Sequence, residues 1–152
     1  MANTLNIHNY SAIVAIGGDG TVHEVANGML HRADKKTVPM AFIPAGSGND
    51  FCSSLYIKDL NKALDYIVKG DVVRMDTSKV LIDYDREEDI PVADRPTNLR
   101  YMLINCNFAV AARVAHRAIS FKNCCCGNAY EMAAVIEFMK IKEDKFDVYL
   151  DE

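Results

Sequence analysis

Residues 11–30, SAIVAIGGDGTVHEVANGML, constrain the fold most, because the apolar period changes there within four residues. Residues 11–16 are a short Ala/Ile/Val run bounded by glycine, the pattern of a parallel strand covered on both faces. From Thr21 the period becomes helical: Val22, Val25, Ala26, Met29 and Leu30 fall at i, i+3, i+4, i+7 and i+8. Residues 38–43 form a second apolar strand, ended by Pro44. Strand, helix, strand implies a right-handed crossover and two parallel neighbours. The loops that follow the two strands, GGDGT and AGSGND, must then leave the same carboxyl edge of the sheet and share one crevice.

Beyond the second loop a short helical piece precedes KDLNKALDYIVKG. Its Leu60, Ala63, Leu64, Ile67 and Val68 repeat the helical stripe until Gly70 stops it. DVVRMDTSKVLIDYD and NLRYMLINCNFAV read as strands, separated by REEDIPVADRP, a charged loop whose acidity reads as a solvated face rather than a metal site. NAYEMAAVIEFMK is a further amphipathic helix, and FDVYL a closing strand.

With 152 residues, 50% of them hydrophobic, the chain can build one packed core and part of a second. A formal charge of -4, with no dense Lys/Arg block, argues against nucleic acid as a partner. No apolar run approaches the roughly 18 residues that span a bilayer, and the N-terminus lacks a leader pattern, so a cytoplasmic protein is expected. Three of the five cysteines, Cys124, Cys125 and Cys126, are adjacent, which suits neither a disulfide framework nor a CxxC zinc site. They read as reduced thiols, with a lipidated cluster as the sharper alternative.

Glycines between a strand and a helix let backbone N–H groups approach a ligand, and the helix N-terminus adds positive potential. A phosphate is the natural guest. The first loop offers Gly17, Gly18, Gly20 and Thr21; the second offers Gly46, Ser47, Gly48 and Asn49. Asp19 would repel an anion unless a cation intervenes or the carboxylate has a chemical task. Mg²⁺ between carboxylate and phosphates, or general-base action on a hydroxyl, resolves the conflict; the plain alternative is a cap for the helix that begins there. There is no GxxxxGK[ST], and His23 stands where a dinucleotide fingerprint needs its third glycine.

GGDGTVHEVANGML and IPAGSGNDF together resemble the two signatures of the diacylglycerol kinase catalytic domain family, which includes sphingosine, ceramide and bacterial lipid kinases. The resemblance is dense over residues 11–56. It continues through VVRMDTSKV and INCNFAVAARVAH, where the family places glycine at the position of Ala109 or Ala111. It implies an α/β fold, a Rossmann-like parallel sheet flanked by helices as in the phosphofructokinase and NAD kinase groups, followed by the opening strands of a β-rich second domain. Residues 1–75 would be a partial nucleotide-binding domain and residues 76–152 the start of the β-rich region.

The reaction implied is transfer of the ATP γ-phosphoryl group, with Mg²⁺, to a lipid hydroxyl presented at a membrane surface. Gly17, Gly18, Gly20 and Thr21 would hold the phosphates, Ser47, Gly48 and Asn49 would close the other side, and Glu24 would approach from the first helix turn. Asp19 would act as base or would organise the metal, directly or through water. Thr21 and Asn49-Asp50-Phe51 lean toward diacylglycerol as substrate, with sphingosine or ceramide the alternative. Family members begin with a further strand and helix and end in a β-sandwich, so the resemblance also implies a partial copy, which leaves a catalytically silent nucleotide- or lipid-binding fragment as another reading. A kinase of a soluble substrate shares the first loop but not the second.

Overall fold

In the computed structural model, residues 2–121 and 128–140 are described, with 143, 145 and 147. Cys124, Cys125 and Cys126 lie outside the described residues, as does FDVYL apart from Asp147. The chain divides into two units, Met1–Asn105 and Cys106–Glu152.

In the first unit, β1 (Ile13–Gly17) and β2 (Met40–Pro44) pair in parallel, Ile13 opposite Met40 and Gly17 opposite Pro44, and α1 (Asp19–Leu30) connects them. Because the two strands end in register, both glycine loops leave one edge side by side, as strand–helix–strand order requires. Ala15 and Phe42 face Val22 of α1 and Phe51 and Cys52 of α2 (Asp50–Ser54), forming the core beneath the loops. The Phe42 and Phe51 rings meet edge to face at 5.0 Å, a contact that adds about 1 kcal/mol to the area they bury.

The expectation that the first strand is covered on both faces is corrected. Val14 and Ile16 are 44% and 65% exposed, while Ala15 between them is buried. Among the described residues the cover lies on one face only, so an apolar run that reads as two-sided is buried alternately.

In α3 (Leu60–Lys69), the Asp59 carboxylate accepts from the Lys62 N–H at 2.8 Å to start the helix, and Gly70, at φ 71°, ends it in the left-handed region. Of the expected stripe, Ala63 is buried and Ile67 half-buried, whereas Leu60, Leu64 and Val68 remain exposed. Farther on, β3 (Ser78–Leu81) and β4 (Leu99–Met102) form an antiparallel pair, Ser78 opposite Met102. Each is shorter than the strand the sequence suggests. The acidic loop between them holds a 3₁₀ turn, Glu87–Asp89, and a short α4 (Arg95–Asn98). Its acids are partly paired, Glu87 with Lys79 and Asp89 with Arg86. No group of three or more metal-capable side chains occurs among the described residues.

Two contacts fix the remainder of α1. Asn27, 2% exposed, accepts from the Tyr101 N–H at 2.9 Å and donates to the Tyr101 carbonyl at 2.9 Å and to the His23 carbonyl at 3.0 Å. Its amide thus pairs with β4 as a neighbouring strand would. We expect Asn27→Ala to destabilise the unit by about 2–3 kcal/mol, because it leaves the Tyr101 groups without partners; chemical denaturation measures this, and a change under 0.5 kcal/mol counts against the bridge.

Arg32, 5% exposed, donates from Nη1 to the Ala2 and Leu5 carbonyls at 3.0 and 2.8 Å, and from Nε and Nη2 to Asp34 at 2.9 and 2.6 Å. The Arg32 hydrogen bonds hold the Asp34 carboxyl down from 3.8 to about 2. A depressed carboxyl contributes stability above its unfolded value and loses it as pH falls through its folded one. The N-terminal segment is therefore expected to release between pH 3.8 and about 2. Hydrogen exchange at residues 2–7 reads this directly, and full protection at the acid end of the window would contradict it.

In the second unit, α5 (Ala109–Phe121) packs on α6 (Ala129–Met139) through the buried Ala118, Ala129 and Ala133. Glu137, 5% exposed, accepts from Arg117 and pairs with Arg113 at 3.4 Å. The Arg117 hydrogen bond holds its carboxyl below the usual range. The second half of NLRYMLINCNFAV is thus not strand: residue 109 already begins a helix. Ala109 stands at φ 52°, a left-handed conformation that glycine adopts without strain. That is one of the two positions where the resemblance puts glycine. None of the helices among the described residues is long and apolar enough to cross a membrane.

Candidate functional site

The two glycine loops touch at their backbones. A Cβ on Gly46 would lie 2.4 Å from the Gly18 Cα, and one on Gly18 would lie 3.0 Å from the Gly46 Cα. Neither position has room for a side chain while the other loop stays in place. The Ala45 N–H donates to the Gly17 carbonyl at 3.0 Å, extending the strand pairing one step into the loops.

Gly18 is the N-cap of α1, with extended backbone and no side-chain cap, and its carbonyl accepts from the Thr21 and Val22 N–H groups at 2.9 and 3.1 Å. Asp19 is the first residue of that helix, so the plain reading of it as the cap of α1 is corrected. Its Oδ1 instead accepts from the Phe51 N–H, in the first turn of α2, at 2.9 Å. The carboxylate therefore caps the helix that follows the other loop, satisfying one of the donors which that helix start leaves open.

The second oxygen of Asp19 faces Gly48. A Cβ built there would stand 3.1 Å from Asp19 Oδ2 and 3.8 Å from Asp50 Oδ2, so two carboxylates converge over one glycine. Asp50 is a residue that sequence reasoning left out of the site, although it stands in the quoted Asn-Asp-Phe triplet; linear spacing gave no sign that its carboxylate would come near Gly48 as that of Asp19 does. Burial, with the Asp19 charge as a second cause, pushes the Cys52 thiol up, which marks it as a packing residue.

Asn49 is in the left-handed region at φ 59°. Its Oδ1 accepts from the Gly46 N–H at 2.8 Å and its Nδ2 donates to the Gly46 carbonyl at 2.7 Å. Both ends of the amide are thus spent closing the loop on itself. Ser47 and Gly48 are exposed at its tip, and Gly20 and Thr21 are exposed on the facing helix turn.

The structure brings together Gly17, Gly18, Asp19, Gly46, Gly48 and Asn49. Glu24 is placed differently: it is exposed and lines a cavity of about 530 Å³ farther along α1, beside Asn27 and Tyr101. Chemically, the loop pair is a run of small residues at two helix starts, with the Asp19 and Asp50 carboxylates near Gly48. Such a surface can take phosphates against backbone amides, and a divalent cation between them and the acids.

A family model described as the diacylglycerol kinase catalytic domain matches residues 1–80. Sphingosine kinase B of Dictyostelium discoideum is 37% identical over 92 residues, 59% of this chain and 12% of that protein. A diacylglycerol kinase of Staphylococcus saprophyticus is 37% identical over 73 residues, 47% of this chain and 23% of that protein. One of Staphylococcus aureus strain JH9 is 38% identical over 73 residues, 47% of this chain and 22% of that protein. The chain thus spans less than a quarter of the length of each of these relatives. The matched residues hold both glycine loops, the helix between them and the carboxylates they bring together, and on that match the chain belongs to the diacylglycerol kinase catalytic domain family.

Proposed function

We propose that this chain carries the nucleotide-phosphate site of an ATP-dependent lipid kinase, which transfers the γ-phosphoryl group to a lipid hydroxyl. The observation that supports it is the junction of the loops: Gly18 against Gly46, with Asp19 bonded across to α2 and its other oxygen, like the Asp50 carboxylate, near Gly48. Phosphoryl transfer asks mainly for positioning and charge neutralisation, and these parts supply both. Gly18 and Gly20 offer backbone to the phosphates from one side and Ser47 and Gly48 from the other. Gly17, Thr21 and Gly46 shape the two loops, the Thr21 and Gly46 N–H groups being spent on Gly18 and Asn49. Asn49 acts by holding Gly46 in place. Asp19 has one oxygen fixed by the Phe51 N–H, which leaves the other to accept the proton of a substrate hydroxyl or to hold a cation.

The donor set fits Mg²⁺, which is commonly held by one or two carboxylates together with substrate phosphates; Asp19 and Asp50 would hold it, and when bound it neutralises charge on the phosphates. The substrate is a lipid at a membrane surface. Diacylglycerol is the first choice, supported by Thr21 and the Asn49-Asp50-Phe51 triplet; sphingosine is the second, supported by the similarity to a sphingosine kinase.

The test is incubation of the purified chain with labelled ATP, Mg²⁺ and mixed micelles of diacylglycerol or of sphingosine. Labelled phospholipid from the diacylglycerol micelles is the expected result, and product from sphingosine alone would move the assignment to the second lipid. Saturable ATP binding with neither product would make this chain a nucleotide-binding fragment, and no ATP binding would overturn the proposal.

A further inference from the structure

The cavity of about 530 Å³ beside α1 carries a charge pattern that the loop site does not use. Its lining includes Glu24, Lys35, Glu87, Arg95 and Arg100. Glu87 is occupied by Lys79 at 2.5 Å, and Arg32 at the rim is occupied by Asp34. Lys35, Arg95 and Arg100 make no ion pair among the described residues, although the charges of Lys35 and Arg95 help to hold the Glu87 carboxyl down, so three cations share the cavity with Glu24 and Glu87. Arg95 Nε is buried with no hydrogen-bond partner. A buried donor on a charged group is costly to leave unmade, so the Arg95 guanidinium is short of acceptors.

We propose that this cavity is an anion site for a phosphate monoester, separate from the glycine loops. Two guanidinium groups and an ammonium suit a dianion with several acceptor oxygens better than a monoanionic carboxylate, because each guanidinium can bond two oxygens at once. Glu24 opposes full neutralisation and disfavours larger polyanions. The phosphate can belong to a soluble ester or to a phospholipid headgroup that enters from a surface; the recognition chemistry is the same.

The test is calorimetric titration of the whole chain with glycerol 3-phosphate, and separately with phosphatidylcholine vesicles with and without phosphatidic acid. Saturable binding of the soluble ester, of the phosphatidic acid vesicles alone, or of both is the expected result and identifies the source. Arg95→Gln with Arg100→Gln should weaken that binding by about tenfold or more, the loss expected for a charge-assisted hydrogen bond. Lys35→Gln, at an exposed position that cannot upset packing, should weaken it by about threefold, in the range of an exposed charge contact. Ser47→Ala, in the loop site, should leave it unchanged. Binding of neither probe, or equal binding by wild type and all the cation variants, or loss only in Ser47→Ala, would overturn the proposal.

Discussion

Asp19→Asn is expected to lower phosphoryl transfer by a factor of about 10²–10⁴, the range a positioned acid or base supplies, while leaving the thermal midpoint near that of the wild type. The amide keeps an oxygen at Oδ1, so the 2.9 Å bond from the Phe51 N–H survives. What disappears is the negative charge beside Asp50 and the ability to take a proton. Asp19→Ala removes both, and should lose a further about 1–2 kcal/mol of stability with the cap of α2. The pair of variants separates the two tasks of one carboxylate: the rate is read in a micelle assay and stability by thermal denaturation with and without ATP. Equal rates in wild type and Asp19→Asn would remove Asp19 from the chemistry. Equal stability in Asp19→Asn and Asp19→Ala would show that the bond to Phe51 carries little.

That division of labour shows where the sequence is legible and where it stops. The change of period at Gly17 sufficed to place both loops at one edge, because parallel pairing leaves a connecting helix no other choice. Local signals also placed α3, since the Asp59 cap and the Gly70 stop act within a few residues of themselves. The partner of Asp19 was not readable, because the Phe51 N–H lies 32 positions away and its direction depends on how α2 packs on Phe42. Asn49 is a similar case: the sequence put it among the residues that close the phosphate site, but only the structure reveals that its side chain is turned back onto Gly46. The burial of β1 misled for a different reason. Ile and Val in a short run report that a strand is apolar, and the exposed Val14 and Ile16 depend on which elements pack against it.

Gly46→Ala should strongly disrupt the contact between the two loops. Its Cβ would fall 2.4 Å from the Gly18 Cα, 3.1 Å from the Gly18 N and 3.0 Å from Asn49 Oδ1, and two of those atoms are backbone. No rotamer relieves that overlap, so the loops must separate, at a cost of about 1–3 kcal/mol for forced overpacking. Separation also breaks the Asn49 clasp and carries Gly48 away from Asp19, so ATP affinity is expected to fall at least about tenfold, or about 1.4 kcal/mol. Gly20→Ala is the matching control, because nothing lies within 4 Å of the Cβ it would gain. In the first turn of α1 it should stabilise the free protein by about 0.5–1 kcal/mol, as alanine does over glycine in a helix. If phosphates rest on that turn, the same methyl group should weaken ATP. The two variants then move the thermal midpoint of the free protein in opposite directions while both lose the shift that ATP produces in the wild type. An undiminished ATP shift in Gly20→Ala would place the phosphates away from that turn, and an unchanged midpoint in Gly46→Ala would show that the loops do not meet at Gly18.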